Sequence, residues 1–167
     1  EYSDVSLDFP IVTISGDEYQ FFEGNVPEGI SAQAVLAFVY FNGQLLISKV
    51  ENRGWCVPSG RIESGESALA AVHREAMEEA GVELIDPAPI GYFRIRTPSS
   101  SEYFAIAYAS QSNSKDQVPL QFETTETDWS PLDKLPEIYY QWNELFESVI
   151  QFACEKAREF QSKSPEA

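Results

Sequence analysis

Three observations in the sequence predict a mixed α/β domain of the α+β kind, with helices layered on a sheet. Apolar, β-prone runs flank Asn42-Gly43. An amphipathic stretch led by Ser67 ends at Gly81. A third stretch, 139–160, repeats Trp142, Leu145, Phe146, Val149, Ile150 and Ala153 at helical spacing. Strands broken by one central helix and followed by another must bury their apolar faces together, which gives a layered domain.

Each element follows from local signals. Residues 1–30 are acidic and aromatic, and alternation around IVTIS and EYQFFEG predicts short strands or a packed arm. SAQAVLAFVYFNGQLLISKV predicts a hairpin, because Asn-Gly favours the two-residue type I′ turn. WCVPSG predicts a short strand stopped by Pro58 and Gly60. The Ser67 hydroxyl can cap the central helix, and Gly81 can take the left-handed position that ends it. Leu69, Val72, Ala76 and Ala80 form the face of that helix expected to be buried. IGYFRIRT and EYFAIAYAS alternate as strands on either side of PSSS. QSNSKDQVPLQ predicts a surface loop, and FETTETDWSPLDKLPE a short strand with a turn-rich segment. The stripe in 139–160 predicts a core-facing helix, and 161–167 a disordered tail.

Composition limits the partners. Hydrophobic residues are 43% of the 167 and aromatics 13%, the balance of a folded chain. The formal charge of −16, from 27 acids against 11 bases, repels a phosphate backbone and argues against a nucleic-acid polymer as partner. A small phosphorylated ligand then requires something local that reverses the field. Cys56 and Cys154 belong to no CxxC or Cys/His pattern, so reduced thiols in a cytoplasmic protein are expected. No run reaches the roughly 18 apolar residues of a membrane-spanning helix. No basic residue precedes Lys49, so no positively charged leader region is legible, and no membrane partner is expected.

The central helix poses the chemical question. Glu75, Glu78 and Glu79 fall at i, i+3 and i+4 on a face beside the apolar one. Like charges at that spacing destabilise a helix by roughly 0.2–0.5 kcal/mol per pair. They also sit toward the C-terminal end, where the helix dipole favours cations. Either the three side chains point into water, or a cation occupies the space between them. The Gly-rich turn PSGRIESGE, just ahead, can fold backbone groups toward the acids, and hard divalent cations take carboxylate and carbonyl oxygens.

Gly60, Glu66, Arg74, Glu75, Ala76, Glu78, Glu79, Gly81 and Val82 occupy the positions of the Nudix box, Gly-x5-Glu-x7-Arg-Glu-U-x-Glu-Glu-x-Gly-U, with U a bulky apolar residue. The chain resembles the Nudix hydrolases, of the MutT-like kind, over roughly 31–150; only Ala76 is smaller than usual. The resemblance implies an α/β/α sandwich with a mixed sheet, a Nudix domain over 31–160, and a Mg²⁺- or Mn²⁺-dependent hydrolase. Its substrate would be a nucleoside diphosphate joined to another group, such as ADP-ribose or a nucleotide sugar. A MutT-like nucleoside triphosphate pyrophosphatase and a non-catalytic nucleotide-binding regulatory module are the alternatives. Homodimers are common among such proteins.

Residue by residue, the resemblance implies Glu75 and Glu79 as principal metal ligands, with Glu78 a ligand or a carboxylate behind them. Arg74 would orient the acids, and Glu66 would orient the site or relay a proton. Gly60 and Gly81 would be structural, allowing a tight turn and the helix exit. The Ser59 carbonyl would be a further ligand, at a position where relatives often carry glycine; a required positive φ would strain a serine. In ETTETDW, Glu123 is the favoured extra ligand or general base, and Glu126 the second choice. Lys49, Arg53, Arg94 and Arg96 are the bases near the expected cleft that could touch phosphates. Tyr92, Phe93, Tyr103 or Phe104 could stack on a nucleobase, although alternation must send some of them into the core. His73 is expected to pack.

Overall fold

The computed structural model describes residues 9–117 and 124–163. Strands β1 (Val12–Ile14), β2 (Asp17–Glu23), β3 (Ala34–Phe41), β4 (Gln44–Val50), β5 (Gly54–Cys56) and β6 (Ser59–Arg61) come first. Helix α1 (Ala68–Ala80) follows, then β7 (Ala88–Arg96), β8 (Glu102–Gln111) and β9 (Thr124–Ser130). After a 3-10 turn at Leu132–Lys134 come α2 (Leu135–Ile138) and α3 (Glu144–Lys163). The strands join in one sheet ordered β1-β2-β7-β8-β3-β4-β5, with β6 also on β3 and β9 on β4. The β3–β8 pair is parallel and the others antiparallel, so the sheet is mixed.

Strand β3 shows how the layers arise. Side chains alternate along a strand, so Val35, Ala37 and Val39 face one way and Phe38 and Tyr40 the other. The first set packs with Ala71, Val72, Ala76 and Ala80 of α1. The second packs with Leu145, Val149, Ile150 and Ala153 of α3. Helices on both faces of the sheet make the α/β/α sandwich. The Tyr40 hydroxyl donates to the Ile150 carbonyl at 2.5 Å, tying β3 to α3.

Asn42 and Gly43 both take positive φ, 48° and 76°, as a type I′ turn requires. Strand β2 pairs with β7 from Glu18 to Glu23, so the N-terminal strands extend the sheet. Both cysteines are free thiols. Among the described residues no helix is long and apolar enough to cross a membrane.

Five expectations need correction. Gly60 does not stop a strand or make a tight turn: the chain resumes as β6, which pairs Val35 with Gly60 and Leu36 with Ser59. Leu69 is 48% exposed, because it lies in the first turn of α1, where side chains lean past the helix end. Glu75 is buried instead, on the contact face itself rather than beside it. Trp142 precedes the last helix, which starts at Glu144 after the Asn143 side chain accepts a hydrogen bond from the Phe146 N–H. That helix runs to Lys163, so 161–163 are helical and not part of a tail.

Candidate active site

Helix α1 begins where the Ser67 hydroxyl accepts from the Ala70 N–H at 3.0 Å, and it ends at Gly81 with φ 65°. That frame aims the acids at β6. Gly60 is the pivot of the approach, since a Cβ there would overlap the Glu75 carboxylate. Glu75 is only 8% exposed. Ser59 lies extended in β6 and has no positive φ, so it carries no strain.

Arg74 gathers the charges. Its guanidinium donates to both Glu66 oxygens, at 2.8 and 2.9 Å, to Glu75 Oε1 at 2.8 Å and to Glu78 Oε2 at 3.2 Å. It also donates to the Arg61 carbonyl at 2.9 Å, which anchors it to the end of β6. Paired, charge-assisted bonds of this kind are the strong ones. They hold the Glu66 carboxyl down at about 2, helped by the Glu63 N–H. The same contacts, led by Glu66, raise the guanidinium above its ordinary range.

Glu79 differs. Its Oε2 accepts from the Ser59 N–H at 3.2 Å, and Arg53 Nη2 is 3.7 Å from its Oε1. Burial pushes its carboxyl up to about 7; the Ser59 N–H opposes the rise, and neighbouring Glu75 adds to it. Burial likewise raises Glu75, against the pull of Arg74. Among the described residues no three His, Cys, Asp or Glu side chains stand ready-grouped around an ion position. The donor set still fits a hard dication: oxygen-only side chains crowded with repulsive charge, in a cradle that only glycine at 60 leaves open.

Beside the acids opens a cavity of 370 Å³. Ser59, Gly60, Arg61 and Arg53 form its polar wall, and Tyr19, Phe93, Tyr103, Tyr139 and Phe146 are among its aromatic sides. Alternation along β7 and β8 thus puts Phe93 and Tyr103 in the cavity, whereas Tyr92, Phe104 and Phe22 cluster elsewhere.

Of the four bases, Arg53 alone lines the cavity. Arg94 and Arg96 alternate with Phe93 and Ile95 and so project from the other face of β7. Arg94 donates to Gln20 at 2.6 Å and stacks on Phe22, and Arg96 pairs with Glu102 at 2.8 Å. Lys49 is exposed on β4 and does not line the cavity. Glu126 is exposed and lies opposite Lys49 in β9; Glu123 lies outside the described residues. His73 is half-buried.

The sequence reading missed Ile14, Tyr19, Tyr139 and Gln141, all of which line the cavity. Alternation assigns Tyr19 the same face as Phe21, but which strand it would neighbour was not legible.

The family model for the NUDIX domain matches residues 31–149. The human 8-oxo-dGDP phosphatase NUDT18 is 32% identical over 90 residues, which is 53% of this chain and 28% of that protein. The uncharacterized Nudix hydrolase YvcI of Bacillus subtilis is 43% identical over 49 residues, 29% of this chain and 31% of that one. The chain therefore spans less than a third of the length of each of these curated relatives. Among solved structures, the Bacillus subtilis pyrophosphohydrolase BsRppH superposes with a TM-score of 0.70 at 19% identity, over 90% of this chain and 97% of that one. The NUDIX domain of Shewanella oneidensis NrtR, complexed with ADP ribose, gives 0.59 at 19% identity, over 82% and 94%. At such identities the superpositions speak for the fold.

Proposed function

The chain belongs to the NUDIX domain family, and from that membership we propose that it is a metal-dependent hydrolase of nucleoside diphosphate derivatives. The observation that carries the reading is Arg74 gathering Glu66, Glu75 and Glu78 beside an aromatic-walled cavity. An ion-binding edge against a pocket wide enough for a nucleoside is what cleavage of a nucleotide anhydride needs.

Glu75 and Glu79, with Glu78 and the Ser59 carbonyl, are the groups that would hold Mg²⁺ or Mn²⁺. Such an ion, when bound, neutralises phosphate charge and acidifies coordinated water. The remaining work falls to the chain. Arg74 holds three carboxylates in fixed orientation, and Glu66, kept ionised, ties Arg74 to the loop that precedes α1. Arg53, at the seam between Glu79 and the cavity, is placed to meet a phosphate oxygen. Water adds to phosphorus, the bridging P–O bond breaks, and a carboxylate accepts the proton; Glu123 is our choice for that base. The nucleoside would lie along the aromatic wall. The 8-oxo-dGDP phosphatase activity for which human NUDT18 is named puts purine nucleoside diphosphates among the first to try.

A nucleotide panel incubated with Mg²⁺ or Mn²⁺, with and without EDTA, tests the reading. Metal-dependent release of nucleoside monophosphate from ADP-ribose or a nucleoside diphosphate is the expected result. Pyrophosphate released from triphosphates alone would replace it with the MutT-like activity. Tight nucleotide binding without products would replace it with a regulatory module.

A further inference from the structure

The family match begins at residue 31, yet part of the cavity wall comes from the β1–β2 hairpin ahead of it. Tyr19 lies opposite Ile95 in β7, and Ile95 opposite Tyr103 in β8. The three side chains therefore form one row across three strands, and all three line the cavity. Ile14 adds a fourth lining group from β1. The hairpin is fastened chiefly by other residues, although Tyr19 also packs against the core edge. Phe21 of β2 is buried with its ring centroid 5.0 Å from Phe93, and Phe9 packs edge-on against Phe21 and Phe152 at 4.8 and 5.5 Å.

The rim is tied as well. Gln141 Nε2 donates to Ser15 Oγ at 3.0 Å, joining the hairpin turn to the approach to α3. Ser15, Gly16 and Gln141 all have positive φ, at 50°, 90° and 51°. Two turns in an unusual backbone conformation meet there across one exposed hydrogen bond. Burial, and then Tyr103 nearby, hold the Tyr19 hydroxyl neutral through the physiological range, so it can both donate and accept.

Resting on the nucleotide reading above, we propose that the β1–β2 hairpin is the substrate-selecting wall of this site, with Tyr19 positioning the nucleoside and the Ser15–Gln141 bridge fixing the rim. The choice of nucleoside then depends on residues outside the matched family region.

Adenosine and guanosine carry no phosphate and need no metal, so they probe the wall alone. Saturation-transfer NMR on the full chain in EDTA should detect one or both. Tyr19→Ala should weaken that binding at least tenfold, and Tyr19→Phe should restore most of it by returning the ring. Ser15→Ala, on an exposed turn, should weaken it two- to threefold with an unchanged melting temperature, which keeps the test valid if Tyr19→Ala folds poorly. With a cleaved nucleotide, Tyr19→Ala should raise KM by more than it lowers kcat. Wild-type protein that binds neither nucleoside, or variants that bind as wild type does, would overturn the proposal. Nucleoside binding without hydrolysis of any nucleotide would defeat the enzyme reading and leave this one standing.

Discussion

Glu79 and Glu66 carry the same side chain and face opposite electrostatic conditions. Glu66 is clamped by Arg74 and stays ionised, whereas Glu79 is buried and, among the described residues, has one N–H and a distant guanidinium to support its charge. Ionised Glu79 is therefore a cost to the metal-free protein. With its carboxyl pushed up to about 7 from 4.5, its contribution to stability is full below about pH 4.5 and is lost as pH rises through about 7. The loss is up to about 3 kcal/mol. Melting measured in EDTA should accordingly fall between pH 5 and 8, and Glu79→Gln should flatten that slope and melt higher at pH 8. The same variant should lower turnover at least a hundredfold with the fold intact, measured by nucleoside monophosphate release. Gly60→Ala should displace Glu75, because the added methyl would occupy the carboxylate's place. We expect about 1–3 kcal/mol lost in denaturant unfolding, together with weaker Mn²⁺ binding by water-proton relaxation. The identities of these residues were readable from the motif. Their inequality was not, since burial of Glu79 depends on how α1 lies on β6.

Helix α1 was the most legible element, because both its ends are chemical. Ser67 accepts from Ala70 and Gly81 adopts the left-handed conformation, as their residue types dictate. Ser67→Ala should cost about 1 kcal/mol in chemical denaturation, and by loosening the first turn it should reduce protection of the α1 amides from hydrogen exchange. Helix phase was less legible. Periodicity admits Leu69 to the apolar stripe, but the contact face runs through Ala68, Ala71, Val72, Glu75 and Ala76, which leaves Leu69 outside it and turns Glu75 inward. Strand β6 was missed for a related reason. Pro58 and Gly60 read locally as breakers, and only the partner β3, more than twenty positions away, makes that segment a strand.

At the scale of the molecule, a layered α/β domain was foreseeable from its alternating and helical stretches, because their apolar faces must be buried together, and the α/β/α sandwich from the family resemblance. The strand order was not, because the parallel β3–β8 contact joins segments with four strands and a helix between them in the chain. For the same reason Arg94 and Arg96 could be placed near a cleft by sequence but not on the far side of β7. The net charge of −16 also acquires a place: part of it is concentrated on one edge of α1, where, under the function proposed above, dications would relieve it. Ligands that bind only the folded state stabilise it by mass action, by about 2.7 kcal/mol at a hundredfold excess over Kd. Added Mn²⁺ should thus raise the melting temperature of the wild-type chain and have a much smaller effect on Glu79→Gln.

A crystal grown with Mn²⁺ and read by anomalous scattering puts that claim to its most direct test. A peak within bonding distance of the Glu75 and Glu79 carboxylates, with Arg53 withdrawn from Glu79, is the predicted result. No peak there, with Glu75 still on Arg74 and Glu79 still on the Ser59 N–H, would contradict it.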